Sequence, residues 1–214
     1  KVAEKLADDL RAKLSKTSIS SEVRVISTPQ LNISQVSASH AHYADISILG
    51  GVNEGPQKNE CQDIFAELLL QSGRPVLFVP TSQDTCYPIK HVVIAWQPTK
   101  EASRAVHDAM PFLLKAKSID VLIIDPKVND KNHGEEPGAG IALHLARHGL
   151  KVRVVVQPKI GQSNGQAILN FAMSTEAQLI VAGGYSHSRL REQIMGGVTR
   201  ELSSNINVPV LFSH

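Results

Sequence analysis

The chain is poor in aromatic residues and lacks any long apolar run. Aromatic side chains make up only 4% of its 214 residues, although the hydrophobic fraction is 42%. The core must therefore be built from Val, Ile, Leu and Ala, which suits parallel strands covered by helices on both faces. No apolar run approaches the roughly 18 residues of a membrane-spanning helix, so no membrane association is expected.

Scarce cysteines and a nearly balanced charge exclude further classes of protein. Cys61 and Cys86 form neither a metal motif nor a disulfide framework, which favours a reducing compartment and predicts a cytoplasmic protein. Redox sensing by these two thiols is the alternative. The net charge is +2, and no run of Lys or Arg is interleaved with aromatic residues. Nucleic acid is therefore not expected as a partner.

An internal repeat organises the chain. Three segments of the first half recur in the second half, in the same order and with nearly constant separation. The matching pairs are 23–26 with 152–155, 44–51 with 177–184, and 75–78 with 209–212. This pattern predicts a duplication, with a first domain over residues 1–86 and a second over 87–214. The alternative is a set of similar buried strands that arose without duplication.

The second copy alternates strands with helices. The predicted strands are His91–Trp96, Ile119–Asp125, Val152–Val156, Gln178–Ala182 and Val208–Phe212. The predicted helices are Lys100–Lys117, Ile141–Gly149, Gln166–Thr175 and Val198–Ser204. Such alternation predicts a doubly wound α/β fold with a parallel sheet.

The first copy contains only the later part of this pattern. The predicted strands are Val23–Ile26, Ile46–Leu49 and Val76–Val79, and the predicted helices are Ala3–Leu14, Gln35–Tyr43 and Asp63–Leu70. An opening strand, a helix and a second strand are expected to precede Lys1. A naturally short first domain is the alternative.

Three loops of the second copy follow the carboxyl ends of strands, where open parallel sheets bind their ligands. They span residues 95–99, 124–127 and 183–197. The third loop is bordered by glycines and leads directly into a helix. Glycine allows close approach of the backbone, and the amide groups at a helix N-terminus suit a phosphate.

Residues 184–202 (GYSHSRLREQIMGGVTREL), followed by VPVL at 208–211, resemble the C-terminal signature of the universal stress protein family. The resemblance covers the second copy and the part of the first copy that this chain contains. It implies a five-stranded, mainly parallel α/β sheet of the adenine nucleotide alpha hydrolase-like type, in two tandem copies of which the first is incomplete.

Nucleotide-binding members of that family carry Gly, two residues, Gly, nine residues, Gly, and then Ser, Thr or Asn. In this chain Gly183, Ser186, Gly196 and Gly197 occupy those four positions. Ser186 replaces a glycine, and Gly197 replaces a polar side chain. Gln97 stands in the first-strand loop, where such relatives carry an acidic residue.

The resemblance implies a stress-response module that binds ATP or AMP, with Mg²⁺ as an accompanying ion, and that is not a conventional enzyme. The base would lie near Ile124 and the ribose near Gln97, while the phosphates would meet the glycine-bordered loop. The implied nucleotide-binding residues are Ala95, Gln97, Thr99, Ile124, Asp125, Gly183, Ser186, His187, Gly196, Gly197, Val198 and Thr199.

Two other functions remain open. One is an interaction scaffold of the same fold without a ligand. The other is a slow nucleotide hydrolase, for which Asp125 is the only nearby acidic candidate. The resemblance also implies that strands 76–79 and 208–212 pair antiparallel, so that one chain imitates a dimer. Association of two chains into a homodimer is a further expectation left open.

The remaining candidates indicate no second site. Asp63 is predicted to cap its helix and, with Glu54 and Glu60, to repel phosphate, so no nucleotide is expected in the first copy. His144 and His148 have metal-compatible spacing but no third ligand, which predicts a solvent-exposed helix face and no metal site. Ser186 and His187 are adjacent without a nucleophile elbow, so no catalytic residue is assigned.

Overall fold

A computed structural model describes residues 2–51, 55–80, 88–126, 136–185, 197–204 and 207–214. The chain divides into two compact units, residues 1–33 and residues 34–214. The hydrophobic pattern anticipates most elements of the second unit, but only the helix of the first. In the described ranges, no helix attains the length and hydropathy that spanning a bilayer requires.

The first unit contains a helix, α1 (Val2–Leu14), and a short 3₁₀ turn at residues 30–32. The helix agrees with the prediction, but the predicted strand Val23–Ile26 is wrong, because these residues form no strand. In the second copy the matching segment is a strand that pairs with only one neighbour, and the first copy in this chain has no counterpart of that neighbour. An isolated strand cannot satisfy its backbone hydrogen bonds.

The second unit begins with α2 and contains all the described strands. The strands are β1 (Ser47–Gly51), β2 (Val76–Pro80), β3 (His91–Ala95), β4 (Ser118–Ile124), β5 (Val152–Gln157), β6 (Leu179–Gly183) and β7 (Val210–Ser213). The helices are α2 (Ile33–Ala41), α3 (Lys58–Gln71), α4 (Lys100–Asp108), α5 (Met110–Leu113), α6 (Ala139–Arg147), α7 (Asn164–Ser174) and α8 (Gly197–Ser204).

The described strands form one seven-stranded sheet in the order β1-β2-β7-β6-β3-β4-β5. All neighbours are parallel except β2 and β7, which pair antiparallel with Leu77 opposite Leu211. The α/β class and the mostly parallel sheet are therefore confirmed. The domain boundary at residues 86 and 87 stays a prediction.

Helices cover both faces of the sheet. On one face, α4, α5 and α6 pack against alternate strand residues such as Ile94 and Val181. On the other face, α3, α7 and α8 pack against the residues between them, such as Val93 and Ile180. This alternation is why the strands read as continuous apolar runs in the sequence.

Two predicted helices differ from the structure. The single helix predicted from Lys100 to Lys117 is broken at Ala109 into α4 and α5. Pro111 lies in the first turn of α5, and a proline has no amide hydrogen to continue a helix. The helix predicted to begin at Asp63 begins at Lys58, so Asp63 is an exposed residue inside α3 and does not cap it.

Candidate functional site

The carboxyl ends of three strands lie at one edge of the sheet, where the strand order reverses. Ala95, at the end of β3, lies between Leu122 of β4 and Ala182 of β6. Ile124, two residues beyond Leu122, and Gly183, the residue after Ala182, therefore border the same crevice. Such a reversal point is the usual ligand position in an open α/β sheet.

The loop after β3 turns tightly into α4. The Thr99 amide donates to the Gln97 carbonyl oxygen at 2.7 Å, and the Thr99 hydroxyl accepts a hydrogen bond from the Ala102 amide at 3.2 Å. Thr99 is thus an N-cap, and its side chain already has a partner. The Gln97 side chain is exposed at this edge.

Asp125 follows β4 and lies on the β5 side of the crevice. Its backbone is left-handed, with φ of 47°, and its amide donates to the Gln157 carbonyl oxygen of β5 at 2.8 Å. Asp125 is exposed to solvent. Because β3 separates β4 from β6, Asp125 and the end of β6 are about 10 Å apart across the strands.

A hydrogen bond ties the end of β6 to the first turn of α8. The Tyr185 amide donates to the Thr199 hydroxyl oxygen at 3.2 Å, and Thr199 is buried. Tyr185 has a left-handed backbone, with φ of 55°. The exposed Gly197 and half-buried Val198 begin α8, and the first amides of a helix have no acceptor within the helix itself. Ser186, His187 and Gly196 lie outside the described residues.

The two glycines that end β6 have packing roles. A Cβ at Gly183 would lie 2.6 Å from the Ala102 amide nitrogen, and one at Gly184 would lie 2.6 Å from Leu69 Cδ2. The absence of a Cβ at Gly183 therefore allows α4 to pack closely on one face of the sheet, and its absence at Gly184 allows α3 to pack closely on the other. Close packing accounts for both glycines without a ligand.

We expect Gly183→Ala to lower the free energy of unfolding by about 2 kcal/mol, since the new methyl group would overlap backbone atoms of α4. Gly140→Ala is the matched control, because a Cβ there meets nothing within 4 Å inside α6. The control should be neutral or stabilising by up to about 1 kcal/mol. Urea denaturation followed by circular dichroism measures both, and equal midpoints would contradict the packing role of Gly183.

The sequence pattern missed a buried carboxylate at this edge. Glu101, in the first turn of α4, is only 2% exposed and packs against Gly183. Its Oε1 lies 3.5 Å from the Lys100 ammonium. An acidic residue in the first turn of a helix is stabilised by the helix dipole. The burial of Glu101 depends instead on how closely β6 approaches α4, which the local sequence does not encode.

A second missed cluster lies on the sheet face covered by α7. The buried Asp120 accepts hydrogen bonds from Arg153 at 2.8 and 2.7 Å, and its Oδ2 lies 3.0 Å from His91 Nε2. Nδ1 of His91 lies 2.9 Å from the Thr175 carbonyl oxygen. An ionisable residue in each of three adjacent apolar strands was the available signal. This cluster stabilises the sheet and does not border the crevice.

The remaining candidate residues lie on an exposed helix surface or in the core. His144 and His148 are exposed, with ring centroids 4.9 Å apart. Within the described ranges, no group of three His, Cys, Asp or Glu side chains is placed to hold a metal ion. Cys61 is buried and donates to the Gly50 carbonyl oxygen at 3.3 Å, which disfavours a reactive thiol. Cys86 and Glu54 lie outside the described residues.

Comparison with known proteins gives one family. The family model described as the universal stress protein family matches residues 88–214. No curated protein sequence matches the chain.

Two similar solved structures show the same fold. A universal stress protein from Archaeoglobus fulgidus is similar with a TM-score of 0.74 at 18% identity, over 99% of this chain and 75% of that one. A protein of unknown function from Pseudomonas aeruginosa is similar with a TM-score of 0.61 at 14% identity, over 98% and 77% of the two chains.

Proposed function

Because the chain belongs to the universal stress protein family, we propose that its second copy binds an adenine nucleotide, ATP or AMP, as a cytoplasmic stress-response module. The observation that carries this proposal is the convergence of the ends of β3, β4 and β6 with the N-terminus of α8. The family resemblance of the sequence supplies the identity of the ligand.

The charges at the crevice indicate how the nucleotide would lie. The first amides of α8, at Gly197 and Val198, have no acceptor within the helix and lie at the positive end of its dipole, which suits phosphate. With the phosphates at α8, the rest of the ligand would extend along the strand ends toward β3 and β4. Ribose would therefore lie near Gln97 and the base near Ile124, with any Mg²⁺ on the phosphates.

We expect ATP with Mg²⁺ to raise the melting temperature, because a ligand at a hundredfold excess over its Kd stabilises a fold by about 2.7 kcal/mol. A paired substitution tests the site. Gly197→Pro removes one amide donor at a position that proline tolerates, whereas Gly197→Ala keeps the donor where nothing lies within 4 Å. Affinity for ATP should fall about tenfold in the first variant and stay unchanged in the second.

Isothermal titration calorimetry gives the two affinities. Equal ATP affinities of Gly197→Pro and Gly197→Ala would show that the first amide of α8 does not bind phosphate. An unchanged melting temperature with both ATP and AMP would refute nucleotide binding. Adenine that copurifies with the wild-type chain would support the proposal directly.

A ligand-free scaffold is the second candidate, and the packing of Gly183 and Gly184 favours it. If close helix approach alone explains these glycines, the glycine-bordered edge needs no phosphate. In that function the antiparallel seam between β2 and β7 would hold the two copies as a pseudo-dimer and present their helices to partners, including a second chain. No change in melting temperature with nucleotide is the outcome that distinguishes it.

A further inference from the structure

Helix α3, which belongs to the first sequence copy, is joined to α8 by a reciprocal pair of hydrogen bonds. The Gln62 side-chain amide donates to the Ser203 carbonyl oxygen at 2.9 Å, and the Ser203 hydroxyl donates to Gln62 Oε1 at 3.1 Å. Ser203 is fully buried. Both ends of the Gln62 amide are therefore satisfied by α8, which restricts sliding between the two helices.

The same helix also contacts the turn after β6. Leu69 lies so close to Gly184 that a Cβ there would be 2.6 Å from Leu69 Cδ2. The Gly184 amide donates to the Ser213 carbonyl oxygen at 2.8 Å, so the turn is held between β7 and α3. A displacement of Leu69 would change the space available to the main chain at Gly184.

A third link runs through Tyr185. Burial, together with the negative charge of Asp63 on α3, raises the pKa of Tyr185 to about 12. The Tyr185 hydroxyl is buried and has no hydrogen-bond partner among the described residues. Tyr185 packs against the core cluster that contains Phe65 and Leu69 of α3, and its amide donates to Thr199, so its backbone joins β6 to α8.

We propose that α3, which lies in the first half of the chain, is a positioning element for the nucleotide site of the second half. Its contacts converge on the two segments that bound the site, the turn at residues 184–185 and α8. Gln62 and Leu69 act as positioning residues. The effect on nucleotide affinity rests on the proposed function, because it needs a bound nucleotide, whereas the positioning of the turn does not.

Gln62→Ala in the full chain tests the proposal. Loss of both bonds to Ser203 should speed amide hydrogen exchange at Gly184 and Tyr185 about tenfold and weaken ATP binding about fivefold. Gln71→Ala is the matched control, because it makes the same substitution at the exposed last residue of α3. Melting temperatures of the two variants should stay close, which separates positioning from general destabilisation.

Leu69→Met is a second, independent variant, since it conserves side-chain volume while changing the atoms that face Gly184. It should act in the same direction on exchange and on affinity. Unchanged exchange at Gly184 and Tyr185 in both variants would overturn the proposal, as would faster exchange with an unchanged Kd for ATP.

Failure of the proposed function has a different signature. If the wild-type chain binds no ATP in calorimetry, nucleotide binding is refuted, and the exchange rates still decide the role of α3. Faster exchange in Gln62→Ala but not in Gln71→Ala would then support the positioning of the turn, and equal rates would overturn it.

Discussion

Replacing Phe65 by Ala is expected to lower the free energy of unfolding by about 4 kcal/mol. Phe65 is fully buried in α3, and its ring stacks on Phe78 of β2 with centroids 5.0 Å apart. The same ring meets Phe212 of β7 edge-on, also at 5.0 Å. Removing it leaves a cavity between β2 of the first half of the chain and β7 of the second, so one substitution weakens the packing of both halves.

Urea denaturation of Phe65→Ala and wild type, followed by circular dichroism, measures the loss. Phe112→Ala is the control, because Phe112 is a half-buried residue of α5 in the other core cluster. Its cost should be about half as large, since less apolar area returns to water. A smaller cost for Phe65→Ala than for the control would contradict a core shared between the copies.

Asp120→Asn is expected to destabilise the fold by about 3 kcal/mol at pH 7, because it removes the charge of a carboxylate that accepts hydrogen bonds from Arg153 and His91. The Asp120 carboxylate is the shared acceptor for Arg153 and His91, and its side chain is only 4% exposed. The neutral amide keeps the size of the side chain. The cost therefore reports the charged hydrogen bonds and not a cavity.

The effect should depend on pH. Burial would raise the pKa of the Asp120 carboxyl, but hydrogen bonds from Arg153 and His91 outweigh burial and hold the pKa below its ordinary value of 3.8. A carboxyl with a lowered pKa in the folded state stabilises the fold above its unfolded pKa, and this stability is lost as the pH falls through the folded pKa. The difference in free energy of unfolding between wild type and Asp120→Asn should thus be full at pH 7 and become smaller below about pH 4.

Asp108→Asn is the matched control for this prediction. Asp108 also has an Arg and a His partner, Arg104 and His107, but its side chain is 13% exposed against 4% for Asp120, and His107 is 84% exposed against 17% for His91. Its loss should cost less than about 1 kcal/mol. Equal stability losses for the two variants at pH 7 would contradict a special role for the Asp120 cluster.

The sequence pattern predicted most of the strands of the second unit because buried parallel strands are uninterrupted apolar runs. The repeat then related β1 and β2 to β6 and β7. The prediction failed where a strand needs a neighbouring strand, because the pattern of one segment does not show whether a partner is present. The segment Val23–Ile26 has the composition of a strand, yet no partner strand is available to it in the first unit.

The candidate site was anticipated only in outline. Strand ends and the start of α8 were located from Gly183 and Gly197, since glycines mark strand and helix boundaries. The packing of Gly183 on α4 and the burial of Glu101 depend on the distance between elements remote in sequence. For the same reason, no local signal placed Gln62 against Ser203.

The opposite direction of the strands at the seam between β2 and β7 has a consequence for access. β1 and β2 run against the other five strands, so their carboxyl ends emerge at the far rim of the sheet. A molecule that binds at the carboxyl ends of β1 and β2 would thus approach the sheet from the side opposite to one that binds at the carboxyl ends of the other five strands. A bulky occupant at one rim leaves the second rim unobstructed.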